Sequence, residues 1–275
     1  MCSYAQPVVA FRNGFRALKR CPRCGARYVD PPRSPEEISA HFSAAFSGGR
    51  ERVQKGFEKN RHRVLLQVAK YIHARKGGGR ILDVGCGGGY FLERFFRVPP
   101  WELWGLEIST EAAARAADKG IAVQIGDLHS ANFPEQFFDI VTVLDALYYF
   151  PNPRQELRDI RRVLKPGALV LLELPLAQLH IWRTRSGLGG LLGEPVQPLV
   201  DSHHNFFYTP KSTSFLLEES GFNVEGIMPL AANEQGWRSH DVLYRLYSFA
   251  SSLLWRLSNS KLVIGPRFLA VGCKS

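Results

Sequence analysis

The chain alternates short apolar runs with longer stretches of helical periodicity. Five runs, Ile81 to Val84, Trp101 to Leu106, Ile121 to Ile125, Phe138 to Leu144 and Ala168 to Leu174, have the length of buried strands. Between them Tyr90 to Phe96, Thr110 to Lys119 and Arg154 to Leu164 read as crossover helices. That alternation demands a parallel sheet, doubly wound with helices on both faces. A helix at Pro210 to Ser220 and strands at Phe222 to Met228 and Arg267 to Cys273 extend it to seven strands. The spacing predicts an α/β, Rossmann-like, mostly parallel fold.

Upstream, Val53, Phe57, Val64, Leu65, Val68 and Ile72 recur at helical spacing within Glu51 to Arg75. This helix is expected to pack on the sheet and roof a ligand, with Lys76 to Gly79 as the linker into the first core strand. Late in the chain, Trp237 to Leu257 carries Leu243, Leu246, Ala250, Leu253 and Leu257 at three-and-four spacing among arginines and aromatics. The expected use of that stripe is packing on its own domain. A dimer seam or a membrane surface are the alternatives.

Composition bounds the picture. With 275 residues and 45% hydrophobic content, one substantial core is affordable, with additions on both sides. The sequence divides into a basic head, 1–50, and a larger domain, 51–275, with a long, glycine-rich, irregular segment that suits a lid over 175–208 and an amphipathic helical insertion over 230–264. Neither a signal peptide nor an apolar run of eighteen residues is evident, so the expectation is a cytoplasmic protein, with peripheral membrane contact left open. The oligomeric state stays open. Five scattered cysteines do not suggest a disulfide framework.

Charge is uneven. Residues 1–80 hold 17 Lys or Arg against 5 Asp or Glu, while the rest holds 18 against 20, so the net +10 belongs to the N-terminal region. Such a patch suits nucleic acid, an anionic membrane or a phosphorylated substrate, or is simply a solvated face.

Chemistry concentrates at the strand ends. Asp83-Val-Gly85-Cys-Gly87-Gly-Gly89 joins the first core strand to a helix, and its glycines let backbone approach a ligand. A dinucleotide fold wants G-x-G-x-x-G, and the third glycine position is Tyr90, which argues against NAD or FAD. Glu107 follows Asp83 by 24 residues and ends the second strand, Asp127 the third, Asp145 the fourth. Asp145 also suits a simple helix cap.

The D-x-G-x-G-x-G turn, with FFDIVTVLDALYYF and VLKPGALVLLELP, resembles class I S-adenosylmethionine (SAM) methyltransferases over roughly residues 80–175. The resemblance implies SAM as cofactor, with Gly85, Gly87 and Gly89 forming the turn against it. Glu107 would accept the ribose hydroxyls, Asp127 the adenine amino group, and Asp83 the methionine ammonium, while Ile108 and Leu128 flank the ring. Tyr149 stands where that family often has histidine, so it would orient an acceptor hydroxyl, face the sulfonium, or merely pack.

His203-His204-Asn205-Phe206-Phe207-Tyr208-Thr209 resembles a stretch of methyltransferases acting on sugars and small hydroxylated or quinone-like acceptors. His203 and His204 are the general-base candidates. The acceptor expected is a small molecule or glycan, with O-methylation weakly favoured. RNA or protein methylation, and a catalytically silent SAM-binding module, are the alternatives.

Cys21-Pro22-Arg23-Cys24-Gly25 has the form of a zinc knuckle, and Arg20 to Ile38 resembles the back half of a zinc-ribbon head carried by some bacterial methyltransferases. Zinc needs four ligands and no second C-x-x-C exists. A relic turn without zinc is expected, although Cys2 and His41 would complete a set if the tail folds back.

Overall fold

The structure is a computed structural model, and it describes residues 7–13, 15–46, 51–176, 203–233, 238–259 and 262–275. The main sheet is built from β4 (Gly79–Val84), β5 (Trp101–Glu107), β6 (Ala122–Ile125), β7 (Phe138–Leu144), β8 (Leu164–Pro175), β10 (Phe222–Leu230) and β11 (Arg267–Lys274). Their order is β10-β11-β8-β7-β4-β5-β6. Strands β4 to β8 pair in parallel, and β11 lies antiparallel to both its neighbours. The expected seven-stranded, mostly parallel sheet is therefore present.

The two-residue period of a strand explains how one sheet makes two cores. Leu82, Val141, Val170 and Leu172 point to the face covered by α5 (Pro153–Val163) and α6 (Pro210–Glu219). Their chain neighbours Ile81, Ile140, Leu169 and Leu171 point the other way, under α2 (Glu51–Arg75) and α3 (Tyr90–Phe96). On α2, Val64, Leu65, Val68 and Ile72 are buried as the periodicity predicts. The expected Val53 and Phe57 side chains lie outside the described residues. Helix α4 (Thr110–Ala117) presents three buried alanines, which lets it sit close to the sheet, and Ser109 caps its start.

Two boundaries depart from the sequence reading. Leu164 to Gly167 is not a free turn: β8 begins at Leu164, which pairs with Phe138, and the register shifts before Ile140. Lys165 holds Asp139 at 2.8 Å there, so the extra residues are absorbed as a bulge. More consequential is the head. Strands β1 (Val8–Asn13), β2 (Arg16–Arg20) and β3 (Arg27–Asp30) form a second sheet whose fourth strand is β9 (Phe206–Phe207). A division at residue 50 is therefore not one the sheets respect.

Asn205 explains the joint. It is fully buried, its Oδ1 accepts the Arg33 N–H at 2.7 Å, and its Nδ2 donates to the Tyr149 carbonyl at 2.9 Å. Helix α1 (Pro35–Phe46) follows directly and brings Ile38 and His41 over the main sheet's end. Much of the head's positive charge is used internally, as in Arg16 with Glu37, Lys19 with Asp30, and Arg23 over the Phe215 ring.

Helix α7 (Arg238–Leu257) reverses its expected orientation. Leu246, Leu253 and Leu257 of the predicted stripe face outward, and Leu257 is 75% exposed. Against β10 lie Ser251, which is buried, Ser248, which accepts the Ala232 N–H, and Trp255, whose Nε1 donates to Ile227 O at 2.9 Å. The inward face thus makes one hydrogen bond to β10 and one to Ala232 just after it, while the Ser251 hydroxyl has no hydrogen-bond partner among the described residues. Leu243's side chain and the span 177–202 of the predicted lid lie outside the described residues. No helix among the described residues is long and apolar enough to cross a membrane.

Candidate active site

At the carboxyl end of β4 the chain reverses through a turn fixed to the neighbouring strand. Gly85 and Cys86 both donate to the Leu106 carbonyl, at 2.8 and 3.2 Å. Gly85 has a φ of 75°, and a Cβ there would meet the Ala146 methyl at 3.0 Å, so the turn lies against the loop after β7. Gly89 has a different reason. A Cβ on it would come within 2.4 Å of Ile121 and 3.0 Å of Ala116, so it serves the packing of α3 on α4.

Glu107, at the end of β5, is buried beside that turn. Its Oε2 accepts the Gly87 N–H at 2.8 Å and its Oε1 the Ser109 N–H at 3.0 Å. These donors fix the carboxylate plane, and each oxygen keeps a further lone pair for a hydroxyl. Burial raises Glu107 above its usual range, opposed by the two N–H bonds. Asp83 is more deeply enclosed. Burial pushes it up to about 7, with nearby Glu107 adding to the rise, while the Thr142 hydroxyl at 2.7 Å and the Arg61 charge oppose it. Two desolvated acids this close favour a cationic, hydroxylated ligand.

These groups line a cavity of about 560 Å³ across the strand ends. One end is formed by Gly126, Asp127, Leu128 and Ile108, the middle by the glycine turn and Asp83, and the other end by His41, Ile38, Tyr148, Tyr149 and Phe150. Leu128 is buried and Ile108 half-exposed. Asp127 is exposed, and its Oδ1 takes the Ser130 N–H and hydroxyl, each at 2.7 Å. Opposite stands Glu156, a lining acid that sequence reasoning did not single out. Its Oε2 is buried with no hydrogen-bond partner among the described residues, and burial together with Asp127 pushes it up to about 7. Its sequence position, in the first turn of α5, looks only like a favourable helix-start charge.

Asp145 lies on the cavity wall with a φ of 63°, and its carboxylate is bound by Arg267, by the Tyr148 hydroxyl at 2.6 Å and by Arg61 at 3.6 Å. Burial alone would raise it, yet Arg267 and Arg61 hold it well below the usual carboxylate range. This corrects the cap reading, because α5 is capped by Asn152, while Asp145 lies on the cavity wall with its carboxylate engaged by these groups. Glu173, fully buried on β8, completes the network by pairing with Arg267 and with Arg61 at 2.6 Å. The sequence holds a signal for it, because one acid inside ALVLLELP has to meet a buried cation.

The aromatic end also departs from expectation. Tyr149 lines the cavity as proposed, its phenol pushed up to about 12 by burial. His203 and His204 do not line it. His204 packs behind Tyr148 and Tyr149, at 4.1 and 5.3 Å between ring centres. His203 stacks edge-on against His41 at 3.7 Å, and His41 is the imidazole that reaches the cavity wall. Burial and Arg33 keep His41 below its ordinary value.

The Cys21–Cys24 turn is compact, with Gly25 donating to the Cys21 carbonyl at 2.9 Å. Both thiols are buried with Ala26 against Phe215 of α6. Among the described residues no three His, Cys, Asp or Glu side chains gather as a metal site requires, and Cys2 lies outside them.

The chain is 33% identical over 127 residues to the ubiquinone biosynthesis O-methyltransferase of Klebsiella pneumoniae, a match covering 42% of this chain and 52% of that one. The chain thus spans about half the length of such relatives, although its match to the Pseudomonas aeruginosa enzyme of that name, at 28%, covers 73%. A 27-O-demethylrifamycin SV methyltransferase of Amycolatopsis mediterranei is 29% identical over 105 residues, 35% of this chain and 39% of its own length.

Among solved structures, a SAM-dependent methyltransferase of Thermotoga maritima superposes with a TM-score of 0.57 at 15% identity, covering 86% of this chain and all of its own. The cyclase SpnF superposes at 0.53 with 18% identity, covering 76% and 80%, so the fold by itself does not name a reaction. The family model for the methyltransferase domain matches residues 50–226, more than half of the chain. This chain belongs to the class I SAM-dependent methyltransferase family.

Proposed function

We propose that this protein transfers a methyl group from SAM to a hydroxyl of a small, apolar or aromatic acceptor. The observation that carries the reading is Glu107, locked by Gly87 and Ser109 at the waist of the cavity, with acids and small residues on one side and aromatic rings on the other.

The donor set suits SAM. That molecule has a ribose diol, an adenine amino group, an ammonium and a sulfonium but no phosphate, so its site needs acceptors. Glu107 would take the diol, Asp83 the ammonium, and Leu128 and Ile108 the faces of the adenine. Asp127 and the unpaired Glu156 oxygen are the acceptors for the amino group. When bound, SAM supplies a methyl already activated as a sulfonium. The protein's task is then alignment and exclusion of water. Tyr148, Tyr149 and Phe150 form the apolar wall that excludes it, and Tyr149 orients the acceptor hydroxyl.

His41, backed by His203, is neutral at pH 7 and is the group placed to take a proton from an acceptor hydroxyl. The head serves as the wall that carries His41, and the Cys21–Cys24 turn packs it on α6. The names of the Klebsiella and Amycolatopsis relatives, both O-methyltransferases or demethyl-product methyltransferases, support oxygen as the methylated atom.

The test is calorimetric titration with S-adenosylhomocysteine beside Glu107→Ala, followed by methyl transfer to a panel of phenols and catechols. Micromolar binding lost in the variant, with turnover on at least one hydroxyl acceptor, is expected. No binding by the wild type sinks the proposal.

A further inference from the structure

Helix α7 is amphipathic in the reverse sense from a helix packed on its own domain. Val242, Leu246, Phe249, Leu253 and Leu257 follow one another by four, three, four and four residues, so they form a single ridge. All five are exposed, Phe249 by 70%. The inner face is instead the serine and tryptophan face that bonds to the backbone of β10 and the residues after it. Ordinary folding would turn the leucines inward and the serines out. Here the opposite face is turned in, and an apolar ridge about 22 Å long stands in solvent.

We propose that this ridge lies on an anionic lipid surface. Charge selects that occupant. Arg245 and Arg256 are exposed on the same helix and flank the ridge. A second copy would bring the same positive charge to the contact, whereas anionic headgroups complement it. A helix with a strong apolar face and flanking arginines lies in the interface plane, and α7 is not apolar enough to cross it.

The helix also points the right way. Trp255 meets Ile227 while Ser248 meets Ala232, so α7 runs antiparallel to β10 and its first ten residues pass beyond that strand's carboxyl end. That is the edge on which Asp83, Glu107 and Asp145 open the cavity. A protein resting on this ridge holds its cavity mouth near the lipid, where an apolar acceptor of the class proposed above is concentrated. The lipid contact itself does not depend on that reading.

The test is sedimentation of the full chain with phosphatidylcholine vesicles containing about 30 mol % phosphatidylglycerol, beside pure phosphatidylcholine. The triple variant Leu246→Glu, Phe249→Glu, Leu253→Glu changes only outward side chains, and S-adenosylhomocysteine titration checks its fold. Expected is preferential binding to the anionic vesicles, weakened about tenfold or more in the triple variant and less by Arg245→Gln with Arg256→Gln. Wild type that stays in the supernatant, or a triple variant that binds equally, overturns the proposal. So does sedimentation velocity showing a dimer that the triple variant splits, which would give the ridge to a second copy. Failure of the cofactor titration in the wild type would count against the proposed activity and not against this surface.

Discussion

The Gly87 amide donates to Glu107 Oε2 at 2.8 Å, so the turn after β4 and the acid that ends β5 are one unit. The contact couples residues that pairing of the two strands alone would leave independent. Glu107 holds the turn in shape and, in the proposed site, holds the ribose.

Replacing Glu107 by Ala removes both roles. The Gly87 and Ser109 N–H groups lose their acceptor and the diol loses a charged partner, a loss of about 2 kcal/mol or some 30-fold in S-adenosylhomocysteine affinity. Glu107→Gln keeps one acceptor oxygen and should lose less. Titration calorimetry of both variants measures the order, and equal affinity in Ala and wild type would remove Glu107 from the site.

Asp83 gives a pH signature. Its folded value near 7 lies above the ordinary 3.8, because burial disfavours the charged form. The unfolded chain therefore ionises first, and the stability that the neutral carboxyl allows is present below about pH 4 and is lost as pH rises through about 7. Asp83→Asn removes that loss while its amide oxygen still accepts from Thr142. Urea unfolding should show the variant gaining up to about 4 kcal/mol over wild type near pH 8 and little near pH 4. Cofactor affinity should move the other way, falling in the variant, since the ionised carboxylate is what meets an ammonium. A variant less stable than wild type near pH 8 contradicts the assignment.

How much of this was legible in the sequence depends on the range of the interaction. Strands such as Phe138 to Leu144 and the helix Glu51 to Arg75 were read to the residue, because local periodicity reports burial. Glu107 and Asp83 were legible because strand ends converge in a parallel sheet. The ion pairs of Asp145 were not legible, because its partners Arg61 and Arg267 lie 84 residues before it and 122 after it. The ridge of α7 was recognised as a stripe, yet period alone cannot say which face of a helix its neighbours bond. His41 and Glu156 carried no local sign of the cavity they line.

Asn205 is the joint between head and core, and its removal is correspondingly costly. Asn205→Ala leaves the buried Arg33 N–H and the Tyr149 carbonyl each without this partner, a penalty of about 3 kcal/mol in global stability. Hydrogen exchange should quicken first at residues 27–33, where β3 meets β9. An unchanged unfolding midpoint would show that the head is held by other contacts.

His41 tests the chemistry most directly. It lines the aromatic end of the cavity, while His203 stands behind it and His204 faces other rings. If His41 takes the acceptor's proton, His41→Ala should cut kcat/KM by about 100-fold on a phenol that is neutral at the assay pH. The same variant should lose little on a nitrophenol, whose hydroxyl has already ionised. S-adenosylhomocysteine affinity should stay within about twofold, since the cofactor's proposed contacts lie elsewhere. Because burial and Arg33 hold His41 below its ordinary value, the wild-type acid limb should fall below about pH 6.5, and the variant should lack it. His203→Ala should produce a smaller loss with the limb retained. A penalty independent of acceptor acidity would instead make His41 a wall of the cavity, and alignment by Tyr149 would carry the catalysis alone.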